Sequence, residues 1–286
     1  MRNGMQNVAS IDKRDTFSRV AGQAYLWLLL LVLYAPIVLI IVFSFTKSKV
    51  FGNWTGFTFG LYENLMTGYD YDAQVRVDPN LYRAIFYTGL IAVVAATIST
   101  LLGTLAAIGI YNMRQKGRRI VSFMNSIPMI NPDILTGISL FLLFASIGLT
   151  RGLWTVIAAH VVFCTPYVVL SVMPRLQKMN PNIYEAALDL GATPRQALWK
   201  VMVPELRPGM ISGFILSLTL SIDDFGVTFF TKGSGGLETL STFIYADARK
   251  GGLTPELRPL FSLIFLTILV LLIIMNVRAR KVKSEK

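Results

Sequence analysis

An all-α membrane protein with six transmembrane helices is the fold class predicted by the 286-residue sequence. Three observations predict it: separate apolar runs long enough to cross a bilayer, charge confined to the segments between them, and an unequal distribution of Lys and Arg over alternate loops. Only 15% of the residues are charged and 53% are hydrophobic, with a mean hydropathy of +0.56. A helix rises about 1.5 Å per residue, so roughly 20 apolar residues cross the ~30 Å hydrocarbon core. Several runs of that length exclude a soluble globular domain. The net charge of +11 falls mostly in short loops and tails, where it reads as a topology signal and not as a nucleic-acid footprint.

The first span is expected over about residues 23–45, with Pro36 inside it. Its apolar run is about twice the length of a secretory h-region and no small-x-small site follows, so it reads as an uncleaved span. The second is expected over about 82–111, and the third over 120–147, interrupted by Pro128 and Pro132. The fourth covers about 153–173 with Pro166 inside, the fifth 206–230 and the sixth 259–277. Prolines within spans are tolerated where neighbouring helices or water satisfy the freed carbonyls. The organisation is therefore a tail over 1–22, a six-span domain over 23–277 and a second tail over 278–286.

Orientation follows from the cations. With the N-terminus in the cytoplasm, Arg2, Lys13, Arg14 and Arg19 lie inside, as do Arg114, Lys116, Arg118 and Arg119 after span two. Arg175, Lys178, Arg195, Lys200 and Arg207 lie between spans four and five, and Arg278, Arg280, Lys281, Lys283 and Lys286 in the second tail. These are 18 of the 27 Lys and Arg residues, and the bias puts both termini in the cytoplasm. The outer loop 46–81, with Glu63, Asp70, Asp72 and Asp78, is the more acidic face.

Several chemistries are absent from the sequence. The single cysteine, Cys164, permits no internal disulfide and no Cys-based zinc site. His160, the only histidine, lies one helical turn before it, but two such residues make no full ligand set, so His160 reads as packed or hydrogen-bonded. There is no G-x-x-x-x-G-K-[ST] phosphate loop, and Gly233-Ser234-Gly235-Gly236 reads as a turn. Any ATP used must be bound by another chain.

Three carboxylates fall within spans: Asp133, Asp223 and Asp224. Each costs about 2.5–3.5 kcal/mol at mid-helix, so all three are expected to avoid lipid and face a cavity, water or a partner helix. On a continuous fifth helix, Gly213, Ser217, Ser221, Asp224 and Thr228 form a small or polar stripe about 80° wide, with Asp223 flanking it about 100° around. The stripe fits a passage lining or a close helix–helix contact; two carboxylates exceed what packing requires. Asp133, after Pro132 in a broken span, either lines a cavity or caps the second half-helix, and the two roles are compatible. Carboxylates in a low-dielectric passage favour cations, and Phe225, Phe229, Phe230 and Tyr245 add cation–π surface. The cargo these residues suggest is an organic polycation.

The segment 180–209, NPNIYEAALDLGATPRQALWKVMVPELRPG, reads as a helix, a bend and a second helix. Asn180 caps a helix opening on Pro181. Ile183, Ala187 and Leu190 form its apolar stripe, Gly191 is its left-handed terminator, and Thr193-Pro194 opens the second helix, which Pro204 is expected to end. The apolar stripe has no evident partner in the remaining loops, which suggests docking onto another protein.

With Glu185-Ala186-Ala187, three residues, Gly191, nine residues, then Val201-x-Val203-Pro204, this segment resembles the EAA loop of ABC-importer permeases, which usually carry Ile and Leu at the two Val positions. The resemblance implies a type I ABC importer permease architecture whose cytoplasmic coupling helix sits in a groove of an ATPase. Glu185 would make polar contact with that ATPase, Ala186 and Ala187 allow close approach, and Gly191 provide the bend, with Leu190 and Pro204 in the same coupling segment. Over nearly its full length the chain is also similar to the spermidine/putrescine permease C-subunit family. The matching stretches are Trp54-x-Gly56-Phe57-Thr58 with Tyr62, Pro132-Asp133-Ile134 with Ile138-Ser139-Leu140, and Leu218-x-Leu220-Ser221-Ile222-Asp223-Asp224. This implies a non-enzymatic inner-membrane subunit forming part of a polyamine pathway, with Asp223, Asp224, Asp133, Ser221, Ser217 and Thr228 as the pathway residues. No cofactor is expected on this chain. The implied partners are a homologous second permease, two copies of a cytoplasmic ATPase that bind ATP and Mg, an extracytoplasmic polyamine-binding protein, and lipid; nucleic acid is not among them. The rivals are an ABC permease for another cargo such as iron or thiamine, and an ion-coupled secondary transporter.

Overall fold

The structure is a computed structural model. It describes the backbone of residues 2–48, 50, 52–180 and 182–284, and the side chains of these except 2–19, 21, 268, 271, 272 and 274–284. The expected N1 proline, Pro181, and the cations of both tails lie outside the described side chains. The chain is mostly helical and divides into two compact units, residues 1–77 with 251–286, and residues 78–250.

The first unit contains α1 (Arg2–Phe43), α2 (Gly60–Thr67), a two-residue hairpin of β1 (Tyr69–Asp70) and β2 (Val75–Arg76), and α12 (Leu257–Ser284). Pro36 is accommodated inside α1. After α1 the chain turns on polar contacts. Ser44 Oγ donates to the Ile41 carbonyl at 2.6 Å and lies 2.8 Å from the Tyr62 hydroxyl, which donates to Ser262 Oγ of α12 at 3.1 Å. Phe45 stacks on Phe57 at 5.4 Å, with Phe59 and Tyr62 edge-on or tilted beside them. The Trp54–Tyr62 stretch is thus an aromatic platform tying α2 to the end of α1. In the hairpin Tyr69 pairs with Arg76 and Asp70 with Val75, and Asp70 Oδ1 accepts the Asp72 and Ala73 N–H groups to close the turn.

The second unit contains α3 (Pro79–Tyr111), α4 (Gln115–Ile130), α5 (Asp133–Ser146), α6 (Leu153–Lys178), α7 (Ile183–Asp189), α8 (Pro194–Ala197), a π-helical turn at Leu198–Met202, α9 (Val203–Asp223), α10 (Gly226–Thr231) and α11 (Leu240–Arg249). Asp78 starts α3 by accepting the Asn80 N–H at 2.8 Å ahead of Pro79. α3, α6 and α9 pack on one another. Lipid chains are as apolar as leucine, so association inside a bilayer rests on close packing and not on burial from water. The contact face of α3 is accordingly small: Ala84, Ala92, Ala95, Ala96, Ser99, Gly103 and Ala107 are all buried. At Gly103 an added Cβ would lie 2.6 Å from Val168 Cβ of α6. Thr88, Thr100 and Thr104 return their hydroxyls to carbonyls four residues back, which removes the cost of burying them.

Among the described residues, four helices are long and apolar enough to cross a membrane: Gly22–Phe43, Pro79–Tyr111, Leu153–Lys178 and Pro194–Asp223. The pair α4–α5 makes a fifth if counted as one span, but it bends by 104° at residues 131–132. Pro132 explains the break: it has no N–H to donate and disfavours helical geometry at Asn131, which is extended at ψ 134°. The described apolar part of α12 is shorter, Leu257–Thr267.

Two expectations about element ends are corrected. The fifth span is not one helix to residue 230: α9 stops at Asp223, Asp224 is extended (φ −65°, ψ 128°), and α10 starts afresh. Nor does Pro204 end the helix that Pro194 opens; it lies in the first turn of α9. The wide π turn just before it absorbs the proline. There the Val203 N–H reaches back five residues to Leu198 O, a register that accommodates the donor Pro204 lacks.

Candidate functional site

Two helix breaks come together in the second unit. α5, which starts at Asp133, packs against α10, which starts just after Asp224. Their contact is between glycines: an added Cβ on Gly137 would lie 2.7 Å from the Gly226 carbonyl, and one on Gly226 3.0 Å from the Ile134 N. Any larger residue at either position would separate the half-helices.

Asp224 turns inward and starts α10. Its Oδ1 accepts the Val227 N–H at 3.1 Å, and its Oδ2 accepts the Thr228 N–H and hydroxyl, both at 2.8 Å. His160 of α6 closes the cluster, with Nε2 2.9 Å from Thr228 Oγ1 and 3.4 Å from Asp224 Oδ2, and Nδ1 2.7 Å from Ser221 Oγ. The His160 and Asp224 side chains are 0% and 1% exposed. One neutral tautomer satisfies every partner: Ser221 donates to Nδ1, Nε2–H donates to Thr228, and Thr228 donates to Asp224. The Asp224 backbone carbonyl accepts from Ser241 Oγ of α11 at 2.6 Å. The break is therefore held from α6, α9, α10 and α11 together.

This arrangement changes how the fifth-span stripe is understood. Ser217, Ser221, Asp224 and Thr228 are all buried. Gly213 approaches Val168 and Ser171 of α6 closely, and Cys164 Sγ lies 3.6 Å from the Ser217 carbonyl. The stripe lies along a helix–helix contact within this chain and not on an open face. Of the three carboxylates within the spans, Asp223 and Asp133 are the exposed ones. The divergence expected of neighbouring residues is present, but the chain break produces it and not a helical angle. His160 is hydrogen-bonded, as its isolation in an apolar run implies, but its partners were not evident from spacing. The available signal was only that a buried imidazole needs hydrogen-bond partners, which the polar side chains of another span can supply.

Beside the break stands an aromatic wall. Phe225 is centred 5.3 Å from Phe229 and 4.8 Å from Tyr245, and Phe229 lies 5.4 Å from Phe230. Phe229 and Tyr245 are partly exposed. Lys232 Nζ lies 5.9 Å from the Phe229 ring centre, and Arg249 5.8 Å from that of Tyr245, so cations of the chain itself already use these ring faces.

The helix–bend–helix segment is the second candidate site. Asn180 Oδ1 accepts the Asn182 N–H at 3.0 Å, and α7 follows. Gly191 is left-handed at φ +86°. Its N–H donates to Leu188 O at 2.9 Å, and Ala192 N–H donates to Ala187 O at 3.0 Å, which is the Schellman termination that favours glycine. Thr193 and Gln196 then exchange side chain-to-backbone bonds at 3.3 and 2.9 Å around the start of α8. Contrary to the sequence expectation, part of the apolar stripe of α7 has a partner within the chain: Ala187 is buried, and Ile183 and Tyr184 pack on the cluster of Ala107, Val172, Leu176, Met202 and Leu206. The stripe is covered only in part: Leu190 at its end is 89% exposed, and Glu185, Ala186 and Gly191 are exposed as well. Glu185 also lines a cleft of about 610 Å³ with Tyr111, Tyr184, Arg195 and Leu198.

Apolar helices that break midway, pack through glycines and alanines, and expose carboxylates at the breaks define a membrane transport subunit. Residues 99–282 match the family described as binding-protein-dependent transport system inner membrane component, and the chain belongs to that family. It is 34% identical over 258 residues to the spermidine/putrescine transport system permease protein PotC of Haemophilus influenzae, covering 90% of this chain and 96% of that protein. It is 35% identical over 239 residues to the putrescine transport system permease protein PotI of Escherichia coli strain K12, covering 81% of each. Among solved structures, the fold is similar to a bacterial ABC transporter involved in the import of the acidic polysaccharide alginate, with a TM-score of 0.66 at 17% identity over 93% of this chain and 96% of that one.

Proposed function

We propose that this chain is one permease subunit of an ATP-driven ABC importer and forms part of the pathway that carries polyamines, spermidine or putrescine, across the inner membrane. The observation that carries the cargo is the similarity, over 90% and 81% of this chain, to permeases named for spermidine and putrescine. The geometry fits a polycation: Asp223 and Asp133 are exposed beside a partly exposed aromatic wall, a combination that attracts organic cations. In this reading Asp223 and Asp133 meet the cargo. Asp224, Ser221 and Thr228, with Ser217 behind them, keep the break in shape.

The chain spans the membrane six times in the type I manner, with both termini and the 180–204 segment in the cytoplasm. α7 is the coupling helix, presenting Glu185, Ala186 and Leu190 to the ATPase, with Ala187 seated on its own subunit. Gly191 sets the angle to α8, and the π turn before Pro204 links that angle to α9, so a push on α7 is passed into the helix that ends at Asp223. A homologous second permease completes the pathway, two copies of a cytoplasmic ATPase bind ATP and Mg, and an extracytoplasmic polyamine-binding protein delivers cargo. The switch works because these partners contact the inward- and outward-facing states differently.

The test is uptake of labelled spermidine and putrescine in cells without other polyamine importers, expressing the chain with its partner subunits. Uptake of a polyamine that stops when the ATPase cannot hydrolyse ATP is the expected result. Uptake of iron or thiamine in place of polyamine would reassign the cargo. Polyamine uptake that continues without any ATPase subunit would make the protein an ion-coupled transporter.

A further inference from the structure

A cavity of about 490 Å³ lies between the start of α4 and the end of α6, lined by Gln115, Lys116, Arg118, Arg119, Ser122 and Gln177, with Met173 at its apolar side. Three of the lining side chains are cationic and three are neutral hydrogen-bonding groups. No carboxylate is among the described residues lining it. Further along, Asn125 Nδ2 donates to the Pro166 carbonyl at 3.2 Å and ties α4 to α6. Arg118 lies over the Tyr111 ring at 5.8 Å, which orients its planar guanidinium and leaves the N–H edge for an anion.

The same helix carries an apolar face that the chain does not cover. Ile120, Phe123, Ile127 and Ile130 are exposed and recur at helical spacing below Lys116 and Arg119, within about 80° of arc at 100° per residue. No residue of α4 is buried. A basic pocket at the head of an exposed apolar stripe fits one chemistry on both counts: an anionic phosphate above and hydrocarbon below. A free phosphate would use only the pocket. An acidic protein segment would leave the apolar stripe unexplained.

We propose that this cavity binds the headgroup of an anionic phospholipid, with the acyl chains lying along Ile120, Phe123 and Ile127. Arg118 and Arg119 pair with the phosphate, Lys116 adds charge at the mouth, and Gln115, Ser122 and Gln177 bond to headgroup hydroxyls. The inference goes beyond the transport reading and depends on the orientation above only in assigning the lipid to the cytoplasmic leaflet.

The experiment uses the full chain, purified in complex with its partner subunits, in nanodiscs or detergent. Retained lipid is read by native mass spectrometry against added phosphatidylglycerol, phosphatidylcholine or inorganic phosphate. Phosphatidylglycerol should be retained in preference to phosphatidylcholine. Each charge removed, as in Arg118→Gln or Arg119→Gln, should weaken it roughly fivefold, and removing all three cations on the order of 100-fold. Equal retention of the two lipids, or unchanged retention by the triple variant, overturns the proposal. Displacement by millimolar inorganic phosphate with no lipid preference reassigns the pocket to free phosphate. If the triple variant fails to assemble, a photoactivatable phosphatidylglycerol on the unaltered complex decides: label on peptides containing 115–122 or 173–177 supports the site. Label elsewhere only, or crosslinks from those peptides to a partner chain, refutes it.

Discussion

Replacing Asp224 and Asp223 one at a time separates holding the break from serving the cargo. Asp224→Ala removes three hydrogen bonds at once and leaves the Val227 N–H, the Thr228 N–H and the Thr228 hydroxyl without their acceptor. An unsatisfied buried donor costs about 1–3 kcal/mol. The Thr228 hydroxyl can turn to other acceptors, so the two stranded amides set the scale, on the order of 2–6 kcal/mol. His160 also loses the carboxylate at 3.4 Å. For a chain of this size about 1 kcal/mol moves the melting temperature by roughly 2–4 °C, so a fall of about 4–24 °C is expected. Asp223 is exposed, so Asp223→Ala should stay within about ±0.5 kcal/mol of the parent while reducing polyamine uptake sharply. The assay is a thermal melt of the purified complex, followed by size-exclusion chromatography, beside labelled polyamine uptake. An Asp224→Ala protein that melts with the parent, or an Asp223→Ala protein that loses stability as much as transport, would refute the division of labour.

Two further perturbations act on other parts of the molecule. Leu190→Asp should leave the melt unchanged, because the side chain is 89% exposed, and should sharply reduce co-purification of the ATPase; Gly191→Val, forced into the left-handed region at φ +86° at a cost of about 1–2 kcal/mol, should lower transport per ATP hydrolysed. Gly103→Leu puts a side chain where Val168 Cβ is 2.6 Å from the first added atom, so α3 and α6 must separate; the expected loss is several degrees in the melt with poor expression, whereas Gly89→Leu, with nothing within 4 Å, should be tolerated.

The residues that carried the sequence reading furthest are those whose chemistry is local. Pro132 announced a break because a proline cannot donate, and the chain breaks there. Gly191, Thr193 and Pro194 announced a bend and a restart because their own backbone preferences demand one, and the Schellman bonds and capping box occur at those residues. The apolar runs announced membrane helices because length and hydropathy are properties of a segment alone. Pro204 misled because the same local rule ignores the π turn, which the helix ahead of it adopts and by which its missing donor is accommodated.

The polar stripe of the fifth span could not be resolved in this way. Helical spacing gave Ser217, Ser221, Asp224 and Thr228 one face but did not say what that face meets, since small and polar residues suit a water-filled passage and a tight contact alike. Only the packed structure decided it, because α6 brings His160 from 61 positions away to Ser221 and from 68 positions away to Thr228. A carboxylate in an apolar setting must find donors, and which donors it finds depends on which helices lie beside it. The sequence alone thus determined where the long apolar helices lie, where the chain bends and where it carries charge. Tertiary contact decided which of two adjacent aspartates turns inward to start a helix and which remains exposed, because that choice depends on partners that spacing along one helix cannot supply.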